Sequence, residues 1–347
     1  MVGGLRLSVW ARPRRVTRGV ATARLGSRGE DFQARMTEYP RPVRPFPSLV
    51  ADPSAGAVRR ATVALLASAG VPSADVDAEL LIAFVSGLDR AQLQTAIVLG
   101  RPLDPAALDA LGEVVSRRMA REPLQHITGV AAFRRIELAV GPGVFVPRPE
   151  TEVLVQLGLD ELERLEHAGG SVAAAAGGPV VVDLGTGSGA IALSVATESP
   201  ASRVWAVEAS VEAFLWAEGN RRRLGLDNAT VVRGDLGDAL DELDGTVDLV
   251  LSNPPYVPDD AIPRDPEVRL HDPELALYGG PDGLDVVRVL AVRGAELLKP
   301  GRLLAIEHGE RQGEQIRELL TAAGWSEATT IPDLSGRDRV THARRHG

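Results

Sequence analysis

Apolar residues at helical spacing mark the first patterned part of the chain, residues 55–121. Asp104 followed by Pro105 is typical of a helix start, with an N-cap residue and a proline in the first turn. Two apolar stripes at helical spacing predict the core of a small all-helical domain. The first stripe comprises Val76, Leu80, Leu81, Phe84, Val85 and Leu88, and the second comprises Leu108, Leu111, Val114, Val115 and Met119.

Residues 123–149 change to an extended pattern. Apolar residues at 133, 136, 138 and 140 precede the segment Gly141-Pro142-Gly143, and a second apolar run, 144–146, follows it. This arrangement predicts a β-hairpin that turns at the two glycines and links two domains. Residues 147–152 then open a helix that carries Leu154, Val155, Leu157 and Leu159.

From residue 179 onward, strand patterns and helix patterns alternate. The predicted strands are 180–184, 203–208, 230–233, 247–252 and 302–307, and the predicted helices include 190–198, 211–224 and 285–298. Such alternation favours an α/β fold with a mostly parallel sheet covered by helices on both faces. Two terminal strand patterns, 325–331 and 339–343, predict an antiparallel hairpin at one edge.

Length and composition agree with a two-domain globular protein. The chain has 347 residues, of which 44% are hydrophobic and 24% charged, and it has no cysteine. The missing cysteines exclude disulfides, thiolate zinc sites and thiol catalysis. No run approaches the roughly 20 apolar residues of a membrane span, so no membrane association is expected. We predict a leader over 1–50, a helical domain over 51–122, a hairpin linker over 123–147 and a catalytic domain over 148–347.

The charge of the chain is unevenly distributed. Residues 1–36 contain eight arginines against Glu30 and Asp31, and because the whole chain carries −9, residues 37–347 carry −15. The arginine-rich start indicates a disordered or mis-started leader of a bacterial cytoplasmic protein, or alternatively a mitochondrial transit peptide. An acidic body argues against a large nucleic-acid footprint, which usually needs clustered positive charge.

A glycine-rich loop follows the first predicted strand of the sheet. The segment Asp183-Leu184-Gly185-Thr186-Gly187-Ser188-Gly189 allows the backbone to turn sharply and to approach a ligand closely. In open α/β sheets, ligands bind at the carboxyl ends of the strands, where this loop lies. Glu208 ends the next strand, and its carboxylate can accept hydrogen bonds from both hydroxyls of a ribose. The loop and the acid together predict a nucleoside site of the kind that binds S-adenosyl-L-methionine in class I methyltransferases.

The segment Asn253-Pro254-Pro255-Tyr256 directly follows another predicted strand. Two successive prolines stiffen this loop and remove two backbone donors. The Asn253 side-chain oxygen and the Pro254 carbonyl can accept both hydrogens of a planar NH₂ group, while the Tyr256 ring stacks on that group. Such a clamp orients an amide nitrogen toward an electrophilic methyl group. No cluster of His, Asp and Glu with ligand spacing appears, so no metal site is predicted.

The chain resembles the PrmC/HemK family of peptide chain release factor N5-glutamine methyltransferases. The resemblance runs from about residue 55 to the C-terminus. It rests on the two loops above and on four further segments, 123–129, 146–152, 282–285 and 336–340, among which Arg148-Pro149-Glu150-Thr151-Glu152 is the most specific. The two loops alone would also fit enzymes that methylate nucleic-acid bases or a ribosomal-protein glutamine, and a binding protein without catalysis is a further alternative.

The resemblance implies a class I, Rossmann-like methyltransferase with a small N-terminal helical bundle and a linking β-hairpin. Its implied substrate is the glutamine of the Gly-Gly-Gln motif in class 1 release factors, which the helical domain would contact. Gly185 to Gly189 would hold the methionine end of S-adenosyl-L-methionine, Glu208 the ribose, and Asp235 and Leu236 the adenine. Asn253, Pro254, Pro255 and Tyr256 would hold the glutamine, with Asn253 also near the methyl donor. We expect a monomer with no stable nucleic-acid binding.

Several residues depart from the family or have structural interpretations. Leu236 replaces a frequent aromatic residue, Glu208 a frequent aspartate, and Asp272 a usual glutamate. Arg148, Glu150 and Glu152 are interpreted either as an ion-pair and capping cluster or as part of the site. The remaining candidates are expected to be structural. His126, His271 and His308 are expected to be scattered and either solvent-facing or locally bonded, and Trp205 and Trp216 are expected to be core residues.

Overall fold

The computed structural model describes residues 52–169 and 177–347. The prediction made for residues 1–50 lies outside these ranges. Within the described residues, no helix is both long enough and apolar enough to cross a bilayer.

Among the described residues, five helices build the N-terminal domain, whose all-helical character the sequence predicts. They are α1 Ala55–Ser68, α2 Ala74–Ser86, α3 Arg90–Val98, α4 Pro105–Met119 and the short α5 Leu124–Thr128. The start of α4 is the predicted one, because the Asp104 carboxylate accepts the backbone N–H of Ala106 at 2.8 Å and Pro105 occupies the first turn. Leu111, Val114 and Val115 of the second predicted stripe are buried in this domain.

The predicted apolar stripe of α2 is confirmed only in part: Leu81 is buried and Val85 and Leu88 pack against the domain core, but its other three residues do not. Val76, Leu80 and Phe84 are 58%, 46% and 49% exposed, whereas the buried face carries Leu81 with small alanines. The buried face also holds Asp77, whose carboxylate accepts a 2.7 Å hydrogen bond from Arg118 of α4. With this ion pair on its buried side, α2 presents to solvent an apolar stripe, which we call the α2 stripe (Val76, Leu80 and Phe84).

The linking hairpin exists, but its predicted turn is wrong. Its strands β1 Val130–Phe133 and β2 Ile136–Ala139 pair antiparallel. The turn consists of Arg134 and Arg135, and Arg134 adopts a positive φ of 48°. The Gly141-Pro142-Gly143 segment follows the hairpin instead. Gly141 is required there because a Cβ would lie 2.7 Å from the ring of Trp216. The prediction is wrong as well for the start of the extended region, because residues 124–128 form the helix α5.

The C-terminal domain has the predicted mostly parallel sheet. Its strands are β3 Val180–Leu184, β4 Arg203–Glu208, β5 Ala229–Arg233, β6 Val247–Ser252, β7 Leu298–Glu307, β8 Ser326–Pro332 and β9 Asp338–Arg344. The strand order is β5-β4-β3-β6-β7-β9-β8. The first five strands are parallel, and β9 pairs antiparallel with both β7 and β8. The terminal hairpin is therefore confirmed, and so is the Rossmann-like α/β fold with its helical domain and linking hairpin.

Helices cover both faces of the sheet. They are α6 Glu152–Gly169, α7 Ala190–Glu198, α8 Val211–Leu224, α9 Pro266–His271, α10 Asp285–Leu297 and α11 Gly313–Ala322. Separate apolar clusters lie on the two faces, one around α6 and α7 and the other around α10 and α11. The strands between them read as continuous apolar runs because both of their faces are buried.

The strand order places the two predicted loops side by side. The chain moves outward from β3 to β4 in one direction and from β6 to β7 in the other, so the carboxyl ends of β3 and β6 flank a topological switch point. The Ser252 hydroxyl donates a 2.6 Å hydrogen bond to the Leu184 carbonyl and joins these two strand ends. The glycine-rich loop and the Asn-Pro-Pro-Tyr loop start directly after them.

Candidate active site

A cavity of about 720 Å³ lies at the carboxyl ends of the central strands. Both predicted loops line it, as do the segment before α6, the ends of β4 and β7, and the region around α9. Of the predicted site residues, those lining the cavity are Gly185, Thr186, Gly187, Ser188, Glu208, Asp235, Leu236, Asn253, Pro255 and Tyr256. Gly189 and Pro254 lie behind the lining, where Gly189 precedes α7 and Pro254 is buried.

The glycine-rich loop needs its glycines for their backbone conformations. Gly185, Gly187 and Gly189 have φ values of +79°, +59° and +88°, which residues with a Cβ rarely adopt. A Cβ on Gly187 would meet nothing within 4 Å, so its backbone faces open space. The loop therefore presents bare backbone to the cavity.

A fully buried carboxylate supports the glycine-rich loop. Asp183 accepts hydrogen bonds from the Thr186 hydroxyl at 2.5 Å and from the backbone N–H of Ala192 at 3.2 Å. Burial raises the pKa of Asp183 to about 7, against the opposing effect of these two donors. Asp183 thus ties the loop to the first turn of α7.

Glu208 lies at the end of β4, as the sequence predicts, and is 9% exposed. Its two oxygens accept 2.8 Å hydrogen bonds from the backbone N–H groups of Gly187 and Ser210. Each carboxylate oxygen can accept a further hydrogen bond. Glu208 therefore holds the glycine-rich loop and retains acceptor capacity toward the cavity, which suits a pair of ribose hydroxyls.

The segment after β5 forms the wall beside Glu208. Asp235 accepts the backbone N–H of Gly237 at 2.8 Å, which stabilises the turn. Leu236 is half-buried and lies 4.0 Å from the position that a Cβ of Gly185 would take. This aliphatic side chain offers apolar contact to a flat ligand where an aromatic residue would offer stacking.

The Asn-Pro-Pro-Tyr loop is fixed by backbone packing against a glycine segment. A Cβ on Gly279 would lie 2.4 Å from the Pro255 carbonyl oxygen, and one on Gly283 would lie 2.3 Å from the Tyr256 carbonyl oxygen. The Gln312 side chain donates a 3.0 Å hydrogen bond to this same Tyr256 oxygen. These contacts give segment 282–285, singled out from the sequence, a physical role in holding the loop.

The side chains of this loop point into a polar corner of the cavity. The Asn253 amide nitrogen donates to the Thr151 hydroxyl oxygen at 3.3 Å. Burial raises the pKa of Tyr256 to about 12, and the charge of Glu307 adds to this shift, so its phenol stays neutral near pH 7. The cavity thus combines an oriented amide acceptor and a neutral aromatic ring next to a glycine-rich loop.

Three residues of the cavity corner were not predicted as site residues: Thr151, Glu307 and Arg339. Thr151 and Arg339 belong to segments that the sequence analysis singled out as wholes. Glu307 ends β7 after a run of four buried apolar positions, so its place at the carboxyl end of a parallel strand was the available signal.

The segment before α6 divides between structural and cavity roles. Arg148 donates to Asp272 at 2.9 Å and lies 4.9 Å above the Phe145 ring. Glu152 accepts the backbone N–H of Arg134 at 3.1 Å, which ties the hairpin turn to α6. Glu150 is exposed and lines the cavity.

The histidines differ in part from the prediction. His126 and His308 are buried, although His308 is locally bonded to Gly309 and Thr341. Burial lowers the pKa of both. His126 and His271 are not scattered, since the charges of both act on Glu122. None of these histidines lines the cavity, and Trp205 and Trp216 pack against the apolar cores as predicted. The described residues contain no group of three or more side chains placed to hold a metal ion.

Known proteins resemble both domains. Residues 57–129 match the family described as PrmC N-terminal domain, and residues 172–265 match the family described as methyltransferase small domain. A protein named release factor glutamine methyltransferase from Streptomyces coelicolor is 47% identical over 283 residues, which cover 81% of this chain and 94% of that protein. One of the same name from Bifidobacterium longum is 43% identical over 290 residues, covering 80% and 95%. A Streptomyces pristinaespiralis protein named 4-amino-L-phenylalanine/4-methylamino-L-phenylalanine methyltransferase is 38% identical over 284 residues, covering 81% and 92%.

Proposed function

Since the chain belongs to the family of release factor glutamine methyltransferases, we propose that it methylates the glutamine side-chain amide of the Gly-Gly-Gln motif in class 1 release factors. The methyl donor is S-adenosyl-L-methionine: the sulfonium S–CH₃ bond breaks as the N–CH₃ bond forms, the amide nitrogen loses one proton to solvent, and N5-methylglutamine and S-adenosyl-L-homocysteine are the products. One observation carries the proposal: the Asn253–Tyr256 loop and the glycine-rich loop open into the same cavity.

The cavity suits the donor in three places. Gly185 to Ser188 offer backbone without side-chain obstruction, Glu208 offers acceptors for two hydroxyls, and Leu236 offers an apolar wall. S-adenosyl-L-methionine supplies an electrophilic methyl group on its sulfonium. The protein residues bind and orient the donor.

The Asn-Pro-Pro-Tyr loop contributes orientation and charge stabilisation. The Asn253 oxygen and the Pro254 carbonyl accept the two N–H hydrogens of the glutamine amide, and the Tyr256 ring stacks on its flat face. An amide nitrogen is a weak nucleophile because its lone pair is delocalised. Acceptors on both hydrogens favour the positive charge that builds up on this nitrogen, and the clamp restricts its orientation.

The charge of the chain supports a protein substrate. Residues 37–347 carry −15, whereas a base methylase needs a basic groove along its nucleic-acid strand. We further propose a monomer acting in the cytoplasm, where release factors operate. The helical domain is proposed to contact the release factor, because the α2 stripe offers apolar surface that its own core does not use.

The direct test is methylation of a purified class 1 release factor with a methyl-labelled donor. Mass spectrometry should place one methyl group on the Gly-Gly-Gln glutamine. The matched control is the same release factor with this glutamine replaced by alanine, which should take up no label. Label on duplex DNA, ribosomal RNA, ribosomal protein or 4-amino-L-phenylalanine, with none on the release factor, would overturn the proposal.

A further inference from the structure

Glu307 is a buried carboxylate in the cavity that the proposed function does not use. It ends β7 and is 2% exposed. Its Oε2 atom is buried and has no hydrogen-bond partner among the residues that the structure describes. A buried acceptor without a partner is costly and indicates a functional role when it lies in an active site.

Glu307 is surrounded by polar side chains in the corner of the cavity next to Asn253 and Tyr256. Burial raises the pKa of Glu307 to about 7, while the Thr151 hydroxyl, the Arg339 charge and the Asn253 amide oppose this shift and the Glu150 charge adds to it. The neighbouring Tyr256 phenol also senses its charge. Three ionisable groups therefore face Glu307: Arg339 from β9, Glu150 from the turn before α6, and Tyr256 from the Asn-Pro-Pro-Tyr loop, which we also call the clamp loop.

The Thr151 hydroxyl contacts both Glu307 and Asn253, and the Asn253 amide also reaches the Glu307 carboxylate directly. The Thr151 hydroxyl oxygen accepts from the Asn253 amide nitrogen at 3.3 Å, and its single hydrogen is then available to Glu307. An ionised carboxylate can only accept hydrogen bonds, so it fixes the direction of this chain. The Asn253 amide must then turn its nitrogen toward Thr151 and its oxygen away from it.

We propose that Glu307 is a positioning residue: through Thr151 and the Asn253 amide, its carboxylate fixes the Asn253 oxygen toward the substrate nitrogen. The inference rests on the proposed function, since it assigns the orientation of the clamp. If Glu307 is protonated, it donates to Thr151, whose hydrogen then turns to Asn253. The amide is free to rotate, and a donor rather than an acceptor meets the substrate NH₂ group.

The role predicts a pH dependence with a defined sign. Because the ionised form is the productive one, kcat falls as the pH is lowered through the pKa of Glu307. Glu307→Gln should abolish this fall in kcat at low pH, the acid limb of the profile, because a carboxamide does not titrate. The carboxamide oxygen can still accept the hydrogen bond from Thr151. If Glu307 were merely structural, its replacement by glutamine would not abolish the pH dependence of kcat while retaining activity.

The experiment measures kcat and KM for the release factor from pH 5.5 to 9 in four variants. At pH 8, Glu307→Ala should lower kcat about 100-fold, as expected for a displaced reacting group, and Glu307→Gln should recover about tenfold of this loss without the acid limb. Thr151→Val should reproduce the loss, and Thr151→Ser should retain activity. KM and donor affinity should change less than about threefold. Glu314→Gln, an exposed glutamate on α11, is the matched control.

Different outcomes have different meanings. An inactive wild-type enzyme contradicts the proposed function, whereas an active wild type with an unchanged Glu307→Gln profile contradicts the positioning role. Equal loss in Glu307→Gln and Glu307→Ala, with Thr151→Val fully active, would also overturn it and make Glu307 a proton acceptor. Thermal unfolding of each variant separates these results from misfolding, and Thr151→Val tests the chain even where Glu307→Ala does not fold.

Discussion

Arg121 of the helical domain binds Glu267 of the methyltransferase domain through two parallel hydrogen bonds, at 2.8 Å and 2.5 Å. Arg118 reaches the same carboxylate at 2.7 Å and also pairs with Asp77 of α2. Glu267 lies in α9, and its neighbour Val268 lines the cavity. One wall of the cavity is therefore attached directly to the helical domain.

Replacing Glu267 with glutamine should destabilise the protein. Burial would raise the pKa of Glu267, but hydrogen bonds from the guanidinium groups of Arg121 and Arg118 lower it to about 2. Loss of this charge removes the carboxylate that two largely buried guanidinium groups share and leaves Asp77, among the described residues, as the only close carboxylate of Arg118, which costs about 3 kcal/mol of unfolding free energy. Urea denaturation at pH 7 measures this loss.

The Glu267 contribution also has a pH window. Since its folded pKa is depressed, the stabilisation is present above the unfolded value near 4.5 and is lost as the pH falls toward 2. The exposed Glu274→Gln should change little. Equal stability of both variants would show that the two arginines do not depend on Glu267.

Glu208→Ala should weaken binding of the methyl donor. The substitution removes charged acceptors for two hydroxyls and the support of Gly187. Charge-assisted hydrogen bonds contribute about 1.5–3 kcal/mol, so the Kd should rise about 10- to 100-fold. Isothermal titration calorimetry measures it, and Glu208→Asp should stay within a few fold. An unchanged Kd for the alanine variant would remove Glu208 from the donor site.

Asn253→Ala should lower kcat about 1,000-fold, because loss of one acceptor at the reacting nitrogen resembles loss of an oxyanion donor. Its Kd for the methyl donor should change less than tenfold. Single-turnover methylation measures the loss.

Tyr256→Ala should lower kcat less than Asn253→Ala does, and Tyr256→Phe should have nearly the wild-type kcat, because the ring rather than the neutral phenol is needed. Single-turnover methylation compares the variants. If Tyr256→Phe were as impaired as Tyr256→Ala, the hydroxyl and not the ring would be the acting group.

The stability of the protein should reveal the ionisation of Glu307. Its folded pKa is raised to about 7, so its favourable contribution is present at low pH and is lost as the pH rises from about 4.5 to 7. Relative to Glu307→Gln, the wild type should gain about 2 kcal/mol between pH 7 and pH 5.5, at about 1.4 kcal/mol per pH unit. Parallel unfolding curves over this range would mean that Glu307 does not titrate there.

Substitutions in the α2 stripe should weaken binding of the full-length release factor but not of a short Gly-Gly-Gln peptide. Replacing Val76, Leu80 and Phe84 by serine should raise KM for the release factor about tenfold, because a combined loss of about 1.4 kcal/mol of interface free energy weakens binding tenfold. The kcat, and all kinetics with a Gly-Gly-Gln peptide, should stay unchanged. Leu334→Ser, at a position that is 97% exposed, is the control. An unchanged KM would place the release-factor contact elsewhere.

The parts of the site that follow strands were predictable from the sequence. The strand ends at Leu184, Glu208 and Ser252 agree with the predicted ones, because buried parallel strands are continuous apolar runs with abrupt polar ends. A parallel sheet brings its carboxyl ends to one edge, so the glycine-rich loop, Glu208 and the clamp loop meet there. Their joint position in one cavity needed no knowledge of side-chain packing.

Packing between distant segments was not predictable in the same way. The sequence determined the elements, the sheet and the two loops, since periodicity and turn chemistry act between near neighbours. Only the tertiary structure decided that Asp77 is buried by Arg118, that the hairpin turns at Arg134, and that Thr151, Asn253 and Glu307 converge. The Asp77–Arg118 and Thr151–Asn253 contacts join residues 41 and 102 positions apart, and their free energies exist only once burial and hydrogen-bond partners are fixed together.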